Sequence, residues 1–229
     1  MKVIVLAAGK QTRIGFSSEE KPKSLLKISD KETILSNLLC QADVSKVSEI
    51  ILCSGSNFLI DQYVAARLSP VMSVPVRIDH SVLSDLGSYV FHFGEELPST
   101  FVFGDIFIPD GQFASYIRFA QSNSSRFDAC IGVSKTKVGD YCVVIEGDCV
   151  VKLKMGLGTG LYTCGIFSIF DSGLVSALHK TQKLTEIFSE IVNLKKKVGF
   201  FEIKGAVDLD TPQDVALLEV QLKSSERLL

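Results

Sequence analysis

No apolar stretch in this chain of 229 residues approaches the ~20 that a membrane-spanning helix needs, so nothing in it reads as a bilayer span. Charge of either sign is scarce in net terms, at −2, which leaves no clustered basic excess for a nucleic-acid surface. The six cysteines, Cys40, Cys53, Cys130, Cys142, Cys149 and Cys164, include no C-x-x-C pair, so no zinc motif is present. Several, such as Cys53 after Ile51-Leu52, sit in apolar runs as small buried hydrophobes. Unpaired thiols suit a reducing compartment, and the amino end offers no secretory apolar region; a cytoplasmic location is expected. His80, His92 and His179 lack metal-ligand spacing,. There is no internal repeat and no Pro- or Ser-rich linker. With 46% hydrophobic residues, the expectation is one well-packed unit spanning 1–229 rather than disorder. A homo-oligomer is left open.

What is present is concentrated in the first twenty-six residues. The run Val3-Ile4-Val5-Leu6 breaks into Ala7-Ala8-Gly9-Lys10-Gln11-Thr12-Arg13, and Lys21-Pro22-Lys23-Ser24-Leu25-Leu26 follows. A short buried strand that ends in small residues lets backbone N–H groups approach a ligand. Gly9 permits a turn that a Cβ would obstruct, and such turns form anion-binding concavities. Lys10, Arg13, Lys21 and Lys23 add four cations within fourteen residues. An anionic ligand is implied, and a nucleoside triphosphate meets the pattern best; Lys10 and Lys21 each also read as solvated surface lysines, and for Lys21 that reading is preferred.

Apolar runs of strand length alternate with stretches of helical period. Strands are predicted over 2–6, 49–53, 74–78, 100–103, 128–134, 141–146, 150–154, 164–170 and 198–202, and helices over 33–42, 57–66, 88–96, 112–122, 171–178, 185–194 and 212–229. Strands alternating with helices in the first half predict parallel βαβ units with helices on both faces. From about 128 to 170 the strands come faster, with turns at Glu146-Gly147-Asp148 and at 156–160, and the segment reads as a hairpin-rich insertion at a sheet edge with antiparallel pairing. Ligands of open α/β sheets bind beyond the carboxyl ends of the strands. Two acidic segments belong there: Phe101-Val102-Phe103-Gly104-Asp105 and Val207-Asp208-Leu209-Asp210-Thr211-Pro212. Two aspartates from distant segments beside a triphosphate would hold a hard divalent cation, and Mg²⁺ favours carboxylates together with phosphate oxygens and water. Asp214 reads as a helix-capping carboxylate.

The first segment resembles the signature of the nucleotidyltransferase (pyrophosphorylase) superfamily, roughly L-A-A-G-x-G-x-R followed by P-K-x-L. It stands here as Leu6-Ala7-Ala8-Gly9-Lys10-Gln11-Thr12-Arg13 and Pro22-Lys23-Ser24-Leu25-Leu26, with Gln11 where glycine is usual. Gly104-Asp105 and Asp208-Leu209-Asp210-Thr211-Pro212-Gln213-Asp214 match two further segments in the same order. The resemblance is closest to small single-domain members such as phosphocholine cytidylyltransferase-like enzymes. It implies a Rossmann-like, GT-A-type three-layer α/β/α fold, with a mixed, mainly parallel central sheet and a small β-rich acceptor lobe at about 128–170. By the same resemblance Asp105 and Asp208 would be metal ligands, with Asp210 supporting. Leu6, Ala7, Ala8, Gly9 and Lys10 would line the nucleotide, and Gly87 and Ser88 would contact its base; Ser88 reads equally as the N-cap of the helix that follows. Lys154 and Lys204 would meet the acceptor's phosphate, although the E-K-P that sugar nucleotidylyltransferases present near the first is missing from Val150-Val151-Lys152-Leu153-Lys154.

The chemistry implied is transfer of a nucleoside monophosphate, CMP favoured, from a nucleoside triphosphate to a phosphorylated small molecule or sugar, with release of pyrophosphate. A guanidinium grips phosphate through two parallel hydrogen bonds, which assigns Arg13 to the β- and γ-phosphates; Lys23 would neutralise charge growing at the α-phosphate. Two other readings stay open: a GT-A-type glycosyltransferase using a nucleoside diphosphate sugar, and a non-catalytic nucleotide-binding regulator. The first has no need of the Arg13 and Lys23 pair. The second has little use for both acidic residues.

Overall fold

A computed structural model describes residues 1–8, 22–55, 57–83, 85–136, 141–155, 160–178, 181 and 184–226. Gly9, Lys10, Gln11, Arg13, Lys21 and His179 therefore lie outside the described residues.

The order of elements is β1 (Lys2–Leu6), α1 (Ile34–Asp43), β2 (Glu49–Cys53), α2 (Phe58–Tyr63, prolonged by a π-helical turn, Val64–Leu68), β3 (Val76–Asp79), α3 (Leu86–His92), β4 (Ser99–Phe103), β5 (Ile106–Phe107) and α4 (Gln112–Asn123). It continues through β6 (Ala129–Ser134), β7 (Tyr141–Glu146), β8 (Cys149–Met155), β9 (Leu161–Ile169), α5 (Ser172–Leu178), α6 (Leu184–Asn193), β10 (Val198–Glu202), β11 (Val207–Asp208) and α7 (Pro212–Glu226). Alternation along β1 shows how the layers form, because successive strand side chains point to opposite faces. Val3 and Val5 enter one core with α1, α2, α4 and Leu218 of α7, while Ile4 enters the other with α3, α5 and α6. The result is a sheet with helices on both faces, as the alternating pattern required.

Nine strands form the main sheet in the order β3-β2-β1-β4-β9-β6-β10-β8-β7. The first four run parallel, with β1 between β2 and β4. Beyond them the sheet turns mixed, and its antiparallel strands fall in the segment where antiparallel pairing was expected. β9 enters antiparallel between β4 and β6, and the β7–β8 hairpin is antiparallel too; among the described residues β6–β10 is the remaining parallel pair. The 128–170 segment differs from the edge insertion expected. β6 and β9 are buried along nearly their whole length inside the sheet, and the β7–β8 hairpin alone lies towards the edge. Runs such as Ala-Cys-Ile-Gly-Val-Ser in β6 are apolar on both faces, which is the signature of an interior strand whatever its direction.

Local signals account for most helix starts. Thr33 caps α1 in a reciprocal box, accepting from Ser36 N at 3.1 Å while Ser36 Oγ accepts from Thr33 N at 2.8 Å,. α3 begins two residues before the expected 88, because the Asp85 carboxylate accepts from Ser88 N at 2.8 Å. Asp85 is thus the N-cap, and Ser88 is not. Cys53, Cys130 and Cys164 are buried and burial pushes their thiols up, in keeping with inert core residues. No helix among the described residues is long and apolar enough to cross a membrane.

Candidate active site

The carboxyl ends of β1 and β4 meet at small residues. Gly104 N donates to Leu6 O at 2.9 Å, and a Cβ on Gly104 would stand 3.0 Å from the Cα and Cβ of Ala7. Glycine there lets the turn after β4 lie directly against the turn after β1. Ala7 N is held in its turn by Cys53 O at 2.9 Å. The next residue after Gly104 is Asp105.

A two-stranded antiparallel ribbon, β5 with β11, then carries the site. Ile106 pairs with Asp208 and Phe107 with Val207, and Leu209 N donates to Asp105 O at 3.2 Å. Residues more than one hundred positions apart are thereby registered side by side. Carboxylate oxygens of Asp105, Asp208 and Asp210 all lie within 4.8 Å of one another. Asp210, expected only to support, is a full member of the trio. The ribbon itself was not foreseen, since two residues per strand are too few for a periodicity signal; the acidic residue ending each apolar run was the available clue. Asp214 does cap: its Oδ2 accepts from Asp210 N at 3.1 Å, Thr211 N at 2.6 Å and Thr211 Oγ1 at 2.7 Å. It thereby fixes the backbone of Asp210.

Lys23 reaches the trio from a single 3₁₀ turn, Lys23–Leu25, entered through Pro22. Its Nζ lies 3.0 Å from Asp210 Oδ1 and 3.6 Å from Asp105 Oδ2, with the side chain 8% exposed. Three carboxylates crowd around Lys23, and the crowding shows. Burial raises the Asp105 carboxyl even though Lys23 draws it down. Asp208 is pushed up to about 8, by burial first and then by Asp105 and Asp210,.

Other expected residues fare differently. Leu6, Ala7 and Ala8 stand at the end of β1 as expected, immediately before the undescribed segment. Gly87, in the first turn of α3, donates its N–H to Thr181 O at 2.9 Å, and a Cβ there would collide with the Leu178 carbonyl. Close packing against the end of α5 is therefore sufficient reason for that glycine. Lys154 is exposed on β8 opposite Cys142, and Lys204 is exposed after β10 with its N–H on Gln112 Oε1 at 3.3 Å. Among the described residues neither lysine is ion-paired with the aspartates.

Comparison with solved structures places this arrangement. The chain superposes on CTP:phosphocholine cytidylyltransferase from Streptococcus pneumoniae with a TM-score of 0.73, at 18% identity, over 96% of this chain and 98% of that one. The fold is that of the nucleotidyltransferases. UDP-glucose pyrophosphorylase from Acinetobacter baumannii matches with a TM-score of 0.73 at 15% identity, over 95% and 91% of the two chains. The inositol-1-phosphate CTP transferase of T. maritima matches at 0.69 and 16%, over 97% and 96%. No family model matches the chain, and no curated protein sequence does. At these identities the nucleotidyltransferase likeness is one of fold.

Proposed function

We propose that this protein is a divalent-cation-dependent nucleotidyltransferase of the cytoplasm. It transfers a nucleoside monophosphate from a nucleoside triphosphate to a phosphorylated small molecule or sugar and releases pyrophosphate. The observation that carries the reading is Lys23 clasped by Asp105 and Asp210 beside Asp208, at the strand-end face where β1 gives way to its small-residue turn. CTP is the favoured donor, supported by two similar structures whose names are those of CTP-using transferases.

Three half-buried carboxylates on two segments, gathered within 4.8 Å of one another, suit a hard divalent cation,. Asp105 and Asp208 would hold Mg²⁺ with Asp210 in support, and the ion would supply Lewis-acid charge to phosphate oxygens. An oxygen of the acceptor's phosphate attacks the α-phosphorus, the bond to the β-phosphate oxygen breaks, and that oxygen leaves on pyrophosphate. The protein supplies no covalent nucleophile; positioning and charge do the work. Lys23 turns from Asp210 to the α-phosphate and neutralises the charge that grows there. Arg13 takes the β- and γ-phosphates, with Leu6, Ala7, Ala8, Gly9 and Lys10 along the nucleotide. Since the N–H groups of Gly87 and Ser88 are engaged, contact with the base falls to the Ser88 hydroxyl, with Gly87 setting the position of α3 by its packing against α5. Lys154 and Lys204 are the cations for the acceptor's phosphate.

Pyrophosphate release, measured with CTP, UTP, GTP, ATP and dTTP in Mg²⁺ against a panel of phosphorylated acceptors, tests the reading. Acceptor-dependent release with one nucleotide is expected. Nucleotide binding without release across the panel would instead favour a regulator.

A further inference from the structure

The segment that follows Asp105 is clamped by two amides of α1. Helix α4 begins after Gly111, whose left-handed φ of 76° and missing side chain leave no local cap for the first N–H groups,. Gln41 supplies one from another helix: its Oε1 accepts from Phe113 N at 2.8 Å and Ala114 N at 3.4 Å. Its Nε2 donates to Ile108 O at 3.1 Å and to Asn37 Oδ1 at 2.9 Å. Asn37, one turn earlier on the same face of α1, donates to Asp110 Oδ1 at 2.8 Å. Both amides are buried, at 7% and 4% exposure, and Gln41 uses two donors and two acceptor positions, its full capacity.

The surroundings make this choice of residue informative. The neighbours of Gln41 on α1 are Leu38, Leu39 and Ala42, all in the apolar core, where an aliphatic side chain of similar length would pack without any polar desolvation. The bonds Gln41 makes go to the strap 108–114 and to its neighbour Asn37. That strap starts three residues after Asp105, whose own carbonyl is tied to Leu209 and whose successor pairs with Asp208. A short extended stretch fixed at both ends leaves its first residue little freedom.

We propose that Gln41, seconded by Asn37, is a positioning residue that holds Asp105 at its distance from Asp208; this rests on the reading of those aspartates as cation ligands. Loss of a partner one shell removed from a ligand weakens metal binding by about 10–100-fold, so a loss on that scale is expected here.

The test is Mn²⁺ binding to the full chain without nucleotide, followed by electron paramagnetic resonance, alongside thermal melting. Gln41→Met should lose about ten-fold or more in Mn²⁺ affinity with the site count unchanged. Gln41→Glu, which can still accept from α4 but cannot donate to Ile108 O, should keep more of the melting temperature yet also bind Mn²⁺ less well. Tyr116→Phe is the structural control. It deletes a fully buried hydroxyl bonded to Cys130 O and Ser168 on the same helix α4, and should lower the melting temperature while leaving Mn²⁺ affinity as in the wild type. Wild-type affinity in both Gln41 variants, or an affinity loss in Tyr116→Phe matching theirs, would overturn the proposal alone, provided Asp208→Asn still abolishes binding. Equal Mn²⁺ binding by the wild type and Asp208→Asn would overturn the cation reading and the proposal with it.

Discussion

The parallel strands carry a cluster of charge at each end, and the two clusters are built to opposite rules. At the amino ends, Lys2 Nζ lies 2.9 Å from Glu49 and 2.5 Å from Glu96, while Arg77 lies 3.1 Å from Glu49 and 3.0 Å from Glu96. Two cations meet these two carboxylates, with Asp79 at the margin, 4.0 Å from Arg77. Burial raises Glu49, yet hydrogen bonds from Lys2 and Arg77 outweigh it and hold the carboxyl below its ordinary range; the bond to Glu96 raises Lys2 in turn. At the carboxyl ends three carboxylates crowd together about Lys23, and Asp208 rises to about 8. A balanced network stabilises its charged forms and has nothing left to bind. A crowded one is held in an unfavourable charge state by the rest of the fold, which is how a site stores affinity for a cationic ligand.

The comparison is broken most sharply by removing Lys23. Lys23→Met should lower turnover by about 10²–10⁴-fold, the scale of losing a charge-stabilising group, as should Asp105→Asn, measured as pyrophosphate release at saturating substrates. Full activity in either variant would put the chemistry elsewhere. A smaller effect is expected from pH. Protons compete with a cation for Asp208, so the Mg²⁺ concentration for half-maximal turnover should fall as pH rises from about 6 to 8,. A half-maximal concentration indifferent to pH would show that Asp208 is not a ligand. The smallest effects belong to the amino-end cluster. Glu96→Gln should cost about 1 kcal/mol or less, since these pairs are partly exposed,, with the loss shrinking in high salt and turnover unchanged. Altered turnover there would erase the distinction between the clusters.

Much of this could be seen beforehand in the sequence, and the exceptions share a cause. β1, β2, β7 and β10 fall at their expected bounds because each is an uninterrupted run between clear turn residues. Direction and neighbour are not written in such runs. β9 has the composition of any interior strand, so its place between β4 and β6 came only with the structure, although antiparallel pairing was expected of its segment. At the site, Asp105 and Asp208 were legible because each ends or follows an apolar run, and Lys23 because it stands in the Pro22-Lys23-Ser24-Leu25 segment. Asp210 was underrated because Thr211-Pro212 made it read as part of a helix start. The role of Gln41 had no local signal at all: its partners lie sixty-seven to seventy-three positions away. Asp85 was overlooked as a cap in favour of Ser88, three residues later, although a carboxylate at that spacing is a strong N-cap candidate.

The central claim is that Asp208, crowded by Asp105 and Asp210, takes a cation. Because its folded-state value lies above the ordinary 3.8, the folded chain keeps a proton that the unfolded chain gives up between about pH 4 and 8,. Its contribution to stability is complete below that window and is lost as pH rises through it. The decisive measurement is chemical denaturation of the wild type and Asp208→Asn, without divalent cations, from about pH 5 to 8.5. Asp208→Asn should be the more stable protein at the alkaline end, by about 1 kcal/mol or more. The advantage should shrink towards pH 5 and disappear when Mg²⁺ is added to the wild type. A wild type as stable as the variant at pH 8.5, or one that Mg²⁺ fails to stabilise, would contradict the account.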